Sequence, residues 1–228
     1  MRVDPGLIQK YGDQDMDTTR FLEMFEEPSG ARVLEVGARE EDAANILTEA
    51  GYRVTGFDLR HYEGPHPCLY EHIHHDFCML PGDFLKDRIG TYDSAFSTSA
   101  IEHFGLGGYG EGGPLLPYYD VVAMHVVWRL LKVEGTAYIT VPYGSIFRPH
   151  YPNYRIYDRA SFKDRIVQAF SVEKTEFFIS YPMIVDGKEF KGGEILTEAE
   201  ADILPVEFPP HLTILTRLRK TDLILKSP

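Results

Sequence analysis

The chain has 228 residues, enough for one α/β domain with a buried core and too few for two ordinary ones. Its composition, 43% hydrophobic and 25% charged, is that of an ordinary water-soluble protein. A formal net charge of -12 repels phosphate backbones and anionic membranes, which argues against nucleic-acid and membrane partners and leaves small neutral or cationic ligands open.

Residues 1–30 are polar and predict one helix, capped by Asp17 or Thr18, with Phe21, Leu22, Met24 and Phe25 on its apolar side. This leader reads as a lid or packing segment of a single domain spanning 1–228. Its first residues, Met1 to Lys10, lack the apolar core of a signal peptide. No apolar run approaches a membrane span, and the two cysteines, Cys68 and Cys78, fit no zinc or redox spacing. These features predict a cytoplasmic protein.

Strand and helix patterns then alternate. Strands are expected at Arg32–Val36, Tyr52–Phe57, within Leu69–His75, at Tyr92–Ser97, Thr136–Val141 and Ser171–Ser180, with one or two β segments in His211–Lys226. Helices are expected at Glu41–Ala50, along the stripe Val122, Val126 and Leu130, and around Ala160–Phe170. Such alternation predicts a Rossmann-like α/β fold, a mostly parallel seven-stranded sheet with helices on both faces and an antiparallel strand near the C-terminus. The Gly-, Glu- and Pro-rich stretch 182–210 reads as an insertion before the last strand, either a lid or a homodimer contact.

In open α/β sheets ligands bind outside the carboxyl ends of the strands. The first strand ends at Glu35-Val36-Gly37, and the second at Asp58, about 20 residues on, where a carboxylate can accept from ribose hydroxyls. A dinucleotide site needs G-x-G-x-x-G to hold a diphosphate at a helix N-terminus. Here the turn is Gly37-Ala38-Arg39-Glu40-Glu41-Asp42, with one glycine and three carboxylates where the diphosphate would sit. That is poor electrostatics for NAD and tolerable for S-adenosylmethionine, which has no phosphate and carries a positive sulfonium. The run Gly105-Leu106-Gly107-Gly108-Tyr109-Gly110 also matches the pattern, but no strand leads directly into it, and it reads as a loop near the site.

These residues resemble the class I S-adenosylmethionine-dependent methyltransferases. Val33-Leu34-Glu35-Val36-Gly37 resembles their motif I, and Val54-Thr55-Gly56-Phe57-Asp58 their second-strand acidic motif. Asp76-Phe77 with Leu80-Pro81 resembles the adenine-holding segment, Tyr92–Ser97 the fourth-strand motif, and Arg129–Lys132 through Gly135 to Pro142 the helix-to-fifth-strand motif. The likeness covers roughly Ala31 to Ser180. It implies S-adenosylmethionine as cofactor, held by Glu35, Gly37, Ala38, Arg39, Asp58, Leu59, Asp76, Phe77 and Ser97. A narrower resemblance, carried by Ser99–Gly105, Tyr109, Val141–Gly144 and Arg155–Asp158, points to a bacterial branch associated with saccharide biosynthesis. Two positions depart from the family pattern: Ala38 or Arg39 replaces the second motif I glycine, and Val133-Glu134-Gly135 replaces a Pro-Gly-Gly turn.

Methyl transfer to a hydroxyl requires placement of the acceptor and removal of its proton. His103, just past the fourth strand, is the candidate base, with Glu102 to orient it or bind a hydroxyl. A histidine capping or packing a helix is the plain alternative. Tyr109, Tyr143, Arg155 and Tyr157 are candidates for binding a small-molecule acceptor, a sugar or its precursor, although Arg155 and Tyr157 read equally well as a structural pair bracing a loop. His72, His74 and Asp76 would share one face of a strand, but Asp76 has the adenine role and no partner motif closes a metal site, so no metal is expected. A non-catalytic Rossmann-like interaction protein and an NAD-dependent oxidoreductase are the rival classes.

Overall fold

The computed structural model describes residues 3–12, 14–38, 42–108, 115–185, 187–204 and 212–221. The leader holds two helices where the sequence predicts one: α1 (Pro5–Lys10) and α2 (Met16–Met24). The cap of α2 is Asp15, earlier than expected, with its carboxylate accepting the Thr18 N–H at 2.7 Å. Phe21 of α2 stacks on Phe96 with ring centroids 4.4 Å apart, and Phe25 packs on Tyr52 and Tyr138. Phe21, Leu22 and Phe25 of the leader are thereby buried in the core.

The strand–helix–strand unit follows its predicted spacing: β1 (Arg32–Val36), α3 (Ala43–Glu49) and β2 (Arg53–Asp58), with β1 and β2 parallel. Then come β3 (Glu71–His74), α4 (Gly82–Arg88), β4 (Tyr92–Thr98), α5 (Tyr119–Leu130) and β5 (Leu131–Pro142). Helix α4 escaped the sequence reading because it is short and buries no residue fully. Strand β5 begins directly at the end of α5. Its first half turns through Glu134, at φ +61°, and Gly135, where a Cβ would come 2.9 Å from the Lys132 carbonyl oxygen.

A hairpin of β6 (Arg148–His150) and β7 (Tyr154–Ile156) follows, then α6 (Arg159–Phe162), which opens on a capping box between Asp158 and Ser161. Strand β8 (Phe170–Ile179) leads into the insertion. The insertion forms a second hairpin, β9 (Met183–Val185) with β10 (Lys188–Phe190), then β11 (Ile195–Leu196) and α7 (Glu198–Ile203). Its last residues, 205–210, lie outside the described residues. The chain returns as β12 (Leu212–Lys220).

The main sheet runs β3-β2-β1-β4-β5-β12-β8-β11. The first five strands are mutually parallel, and β12 is antiparallel to both β5 and β8. The sheet has eight strands, not the expected seven: β11, from the insertion, pairs antiparallel with the edge of β8. Alternate residues of each strand feed two cores. Val33, Phe96 and Tyr138 meet α2 and α3 on one face, while Leu34, Ala95 and Ile139 meet α5 on the other. Among the described residues no helix is long and apolar enough to cross a membrane.

Strand order reverses at β1, which has β2 on one side and β4 on the other. The carboxyl ends of β1 and β4 therefore flank a crevice, the place where open α/β sheets bind ligands.

Candidate functional site

At that switch point the two loops touch. Gly37, at φ +94°, passes so close to the loop after β4 that a Cβ on it would lie 2.2 Å from the Ala100 Cβ. Only glycine serves there, on both backbone and steric grounds. Ser97, at the end of β4, ties the seam by donating to the Val36 carbonyl at 2.9 Å. Glu35 is buried and stands in register with Gly56 of β2. Ala38 is buried too, with its carbonyl accepting from His72 Nε2 at 2.9 Å.

Asp58 occupies the carboxyl end of β2, and its Oδ1 accepts the Arg60 N–H at 2.7 Å, a local turn that orients the carboxylate. Leu59 is exposed beside it, and its carbonyl receives His74 Nε2 at 2.7 Å. Asp76 caps a single turn at Phe77–Met79 by accepting the Cys78 N–H at 2.8 Å. The Phe77 ring is buried in the core against Phe57, with centroids 5.5 Å apart. The bonds of His72 and His74 to carbonyls account for those imidazoles, and among the described residues no three His, Cys, Asp or Glu side chains are grouped to hold a metal. Arg39, also a candidate, lies outside the described residues.

On the other side of the seam a cavity of about 350 Å³ opens over the ends of β4, β5, β8 and β12. Glu102 and His103 line it, together with Asp17 of α2, Ser99, Tyr154, Ser180 and Thr213. His103 sits on a single turn at Ile101–His103, with Nδ1 donating to the Asn153 carbonyl at 2.5 Å. The other ring nitrogen, Nε2, lies 3.6 Å from the Glu102 carboxylate, and the ring also bonds the Ser99 backbone. Burial holds the imidazole below its ordinary pKa, against the Asn153 and Ser99 carbonyls, which favour the charged form. His103 is therefore neutral at pH 7, as a proton acceptor must be.

Asp17 faces it from the leader helix. Its carboxylate accepts from Ser99 Oγ and, at 2.8 Å, from Ser180 Oγ, which lies 2.6 Å from Thr213 Oγ1. Burial pushes the Asp17 carboxyl above its ordinary value, with those hydroxyls opposing. Ser99 itself has φ +44°, a conformation that costs a non-glycine residue about 1–3 kcal/mol. None of Asp17, Ser99, Ser180 or Thr213 was among the sequence candidates. Ser99 alone carried a signal, its place just past the fourth strand.

Three acceptor candidates are buried and bonded within the protein. Arg155 is 1% exposed: its guanidinium donates to the Glu102 carbonyl at 3.0 Å and lies 3.7 Å from Asp120. Tyr157 is fully buried and donates to Asp120 at 2.8 Å. Tyr143 is buried with its hydroxyl on Asp202 at 2.6 Å. Arg155 and Tyr157 are the structural pair; they brace from below the turn that carries Glu102 and His103. The position of Tyr109 lies outside the described residues.

A family model described as "Caenorhabditis protein of unknown function, DUF268" matches residues 72–180. No curated protein sequence matches the chain. Solved structures with the same fold include 1,6-didemethyltoxoflavin-N1-methyltransferase of Burkholderia thailandensis, determined with 1,6-didemethyltoxoflavin and S-adenosylhomocysteine bound. It is 16% identical at a TM-score of 0.55, over 85% of this chain and 72% of that one. A TehB-like SAM-dependent methyltransferase from Corynebacterium glutamicum is 14% identical, TM-score 0.53, over 95% of this chain and 93% of its own. An S-adenosylmethionine-dependent methyltransferase of Mesorhizobium loti is 13% identical, TM-score 0.54, over 90% and 97%. At these identities the likeness establishes the fold: this is the Rossmann-like methyltransferase fold.

Proposed function

We propose that the chain is an S-adenosylmethionine-dependent methyltransferase acting on a hydroxyl or amine of a small molecule, a sugar or saccharide precursor. The observation that carries the reading is the pairing of two half-sites across one seam. The Gly37–Ala100 contact and Asp58 lie on the nucleoside side, and the cavity with His103 lies on the other.

The residues present fit the cofactor. A nucleoside needs a sharp backbone turn at the end of β1, which Gly37 makes at φ +94°, and a ribose acceptor at the end of β2, which Asp58 supplies. We assign Glu35, Ala38, Leu59, Asp76 and Ser97 to the same cofactor set, as the sequence motifs imply. When bound, S-adenosylmethionine supplies an electrophilic methyl on a sulfonium, which leaves as a neutral thioether. The diphosphate of NAD, by contrast, would meet the buried Asp42 carboxylate at the start of α3, already held by Asn45 and His66.

The chain's own part is placement and proton transfer. The hydroxyl-lined cavity holds a polyhydroxylated acceptor, and His103 Nε2 takes the proton of the reacting hydroxyl. The imidazolium so formed is stabilised by the Asn153 carbonyl and the nearby Glu102 carboxylate. Arg155 keeps that turn in register through the Glu102 carbonyl. Calorimetry with S-adenosylmethionine, S-adenosylhomocysteine and NAD tests the reading. Binding of the first two and not the third is expected, and a well-folded protein that binds neither adenosyl compound refutes it.

A further inference from the structure

The cavity beside His103 has an uneven supply of hydrogen-bond partners. The Ser99 and Ser180 hydroxyls both give their protons to Asp17. With the Ser180 proton committed, Thr213, which lies 2.6 Å from Ser180 Oγ and also bonds Asp17, spends its proton on one of the two. All three hydroxyl protons are thus spent inside the wall, and what these groups turn toward a ligand is lone pairs.

The charge is uneven in the same direction. Asp15, Asp17 and Glu102 line the cavity, and among the described residues no lysine or arginine does. The two arginines whose charge reaches His103 have carboxylate or carbonyl partners of their own: Arg60 lies 3.6 Å from Asp58, and Arg155 bonds the Glu102 carbonyl and lies beside Asp120. Asp17 is 9% exposed and is neutralised by hydroxyls alone, which makes it costly as a carboxylate. A phosphate or carboxylate on the acceptor would add repulsion. A neutral polyol would satisfy the lone pairs and leave the charge. An ammonium satisfies both.

Resting on the methyltransferase reading, we infer that the acceptor is an amino alcohol of the amino-sugar class, with its ammonium seated on Asp17 and the hydroxyl to be methylated facing His103. The leader helix α2 thereby sets acceptor specificity. Ser99 joins the two points, with its hydroxyl on Asp17 and its carbonyl toward His103.

The test titrates the full chain with glucosamine, glucose and glucuronate, with and without S-adenosylhomocysteine, following calorimetry and the amide shifts of Asp17 and Ser180. Glucosamine is expected to bind at least about tenfold tighter than glucose, an advantage of about 1.4 kcal/mol, and glucuronate not at all. Asp17→Asn keeps the side-chain shape and removes the charge. It should erase the glucosamine preference while cooperative unfolding persists. The inference is overturned if glucosamine fails to bind, if glucose or glucuronate binds as tightly, or if the preference survives Asp17→Asn. Failure of S-adenosylhomocysteine to bind is a separate result: it strikes the methyltransferase reading, while the sugar titrations still judge the pocket.

Discussion

The Cβ that Gly37 lacks would lie 2.2 Å from the Cβ of Ala100. This contact closes the seam between the β1 and β4 loops, so Gly37→Ala should fail in two ways. Its φ of +94° costs an alanine about 1–2 kcal/mol, and the overlap adds about 1–3 kcal/mol. A second change, Ala100→Gly, should relieve the overlap and leave the backbone cost. Thermal unfolding of the two variants measures this. A Gly37→Ala protein as stable as wild type would show that the loops do not meet.

Asp58→Asn should keep the turn onto the Arg60 amide and lose a charged acceptor for ribose. A hydrogen bond to a charged group contributes about 1.5–3 kcal/mol, so S-adenosylhomocysteine should bind at least about tenfold more weakly by calorimetry. Unchanged affinity would move the nucleoside away from the end of β2.

His103 and Asp17 predict opposite pH dependences. Burial lowers the folded pKa of His103 below the unfolded value of about 6.5. Between the two values the unfolded chain binds more protons, so stability rises with pH there and is lost as pH falls through that window. His103→Gln should flatten this acid-side slope in denaturant midpoints measured from neutral pH downward. An unaltered slope would place the titration elsewhere.

Asp17 has the reverse sign. Its folded pKa is raised, so the folded state holds the proton more tightly, and stability falls as pH rises from the unfolded value toward the folded one. At neutral pH the charge is a burden, and Asp17→Asn should raise the melting temperature by roughly 2–4 °C for each 1 kcal/mol recovered. A lower melting temperature would mean that the carboxylate is a net structural asset.

Asp120 holds the frame beneath the site. It accepts from Tyr157 and from two nitrogens of Arg165, with Arg155 at 3.7 Å, and it is fully buried. Removing one partner of a buried ionic group costs about 3–5 kcal/mol. Asp120→Leu should therefore unfold at markedly lower denaturant, and a loss under 1 kcal/mol, the scale of an exposed ion pair, would mean that the cluster is not load-carrying.

The sequence by itself determined the strand–helix–strand unit from Arg32 to Asp58, the mostly parallel character of the sheet, and the place of His103 past β4. These rest on local spacing: apolar periodicity, a glycine and a carboxylate at strand ends, all legible within a few dozen residues. Tertiary structure decided which polar residues face the cavity. Arg155 and Tyr157 look like binding groups by type, and burial made them braces. Asp17 and Ser180 meet across 163 positions of the chain, because α2 packs over the strand ends where β8 also finishes. No local pattern marks such a pair. The insertion shows the same limit, since its two-residue strand β11 exists only where β8 offers an unpaired edge. Periodicity specifies elements, whereas the neighbours of a polar side chain follow from how those elements pack.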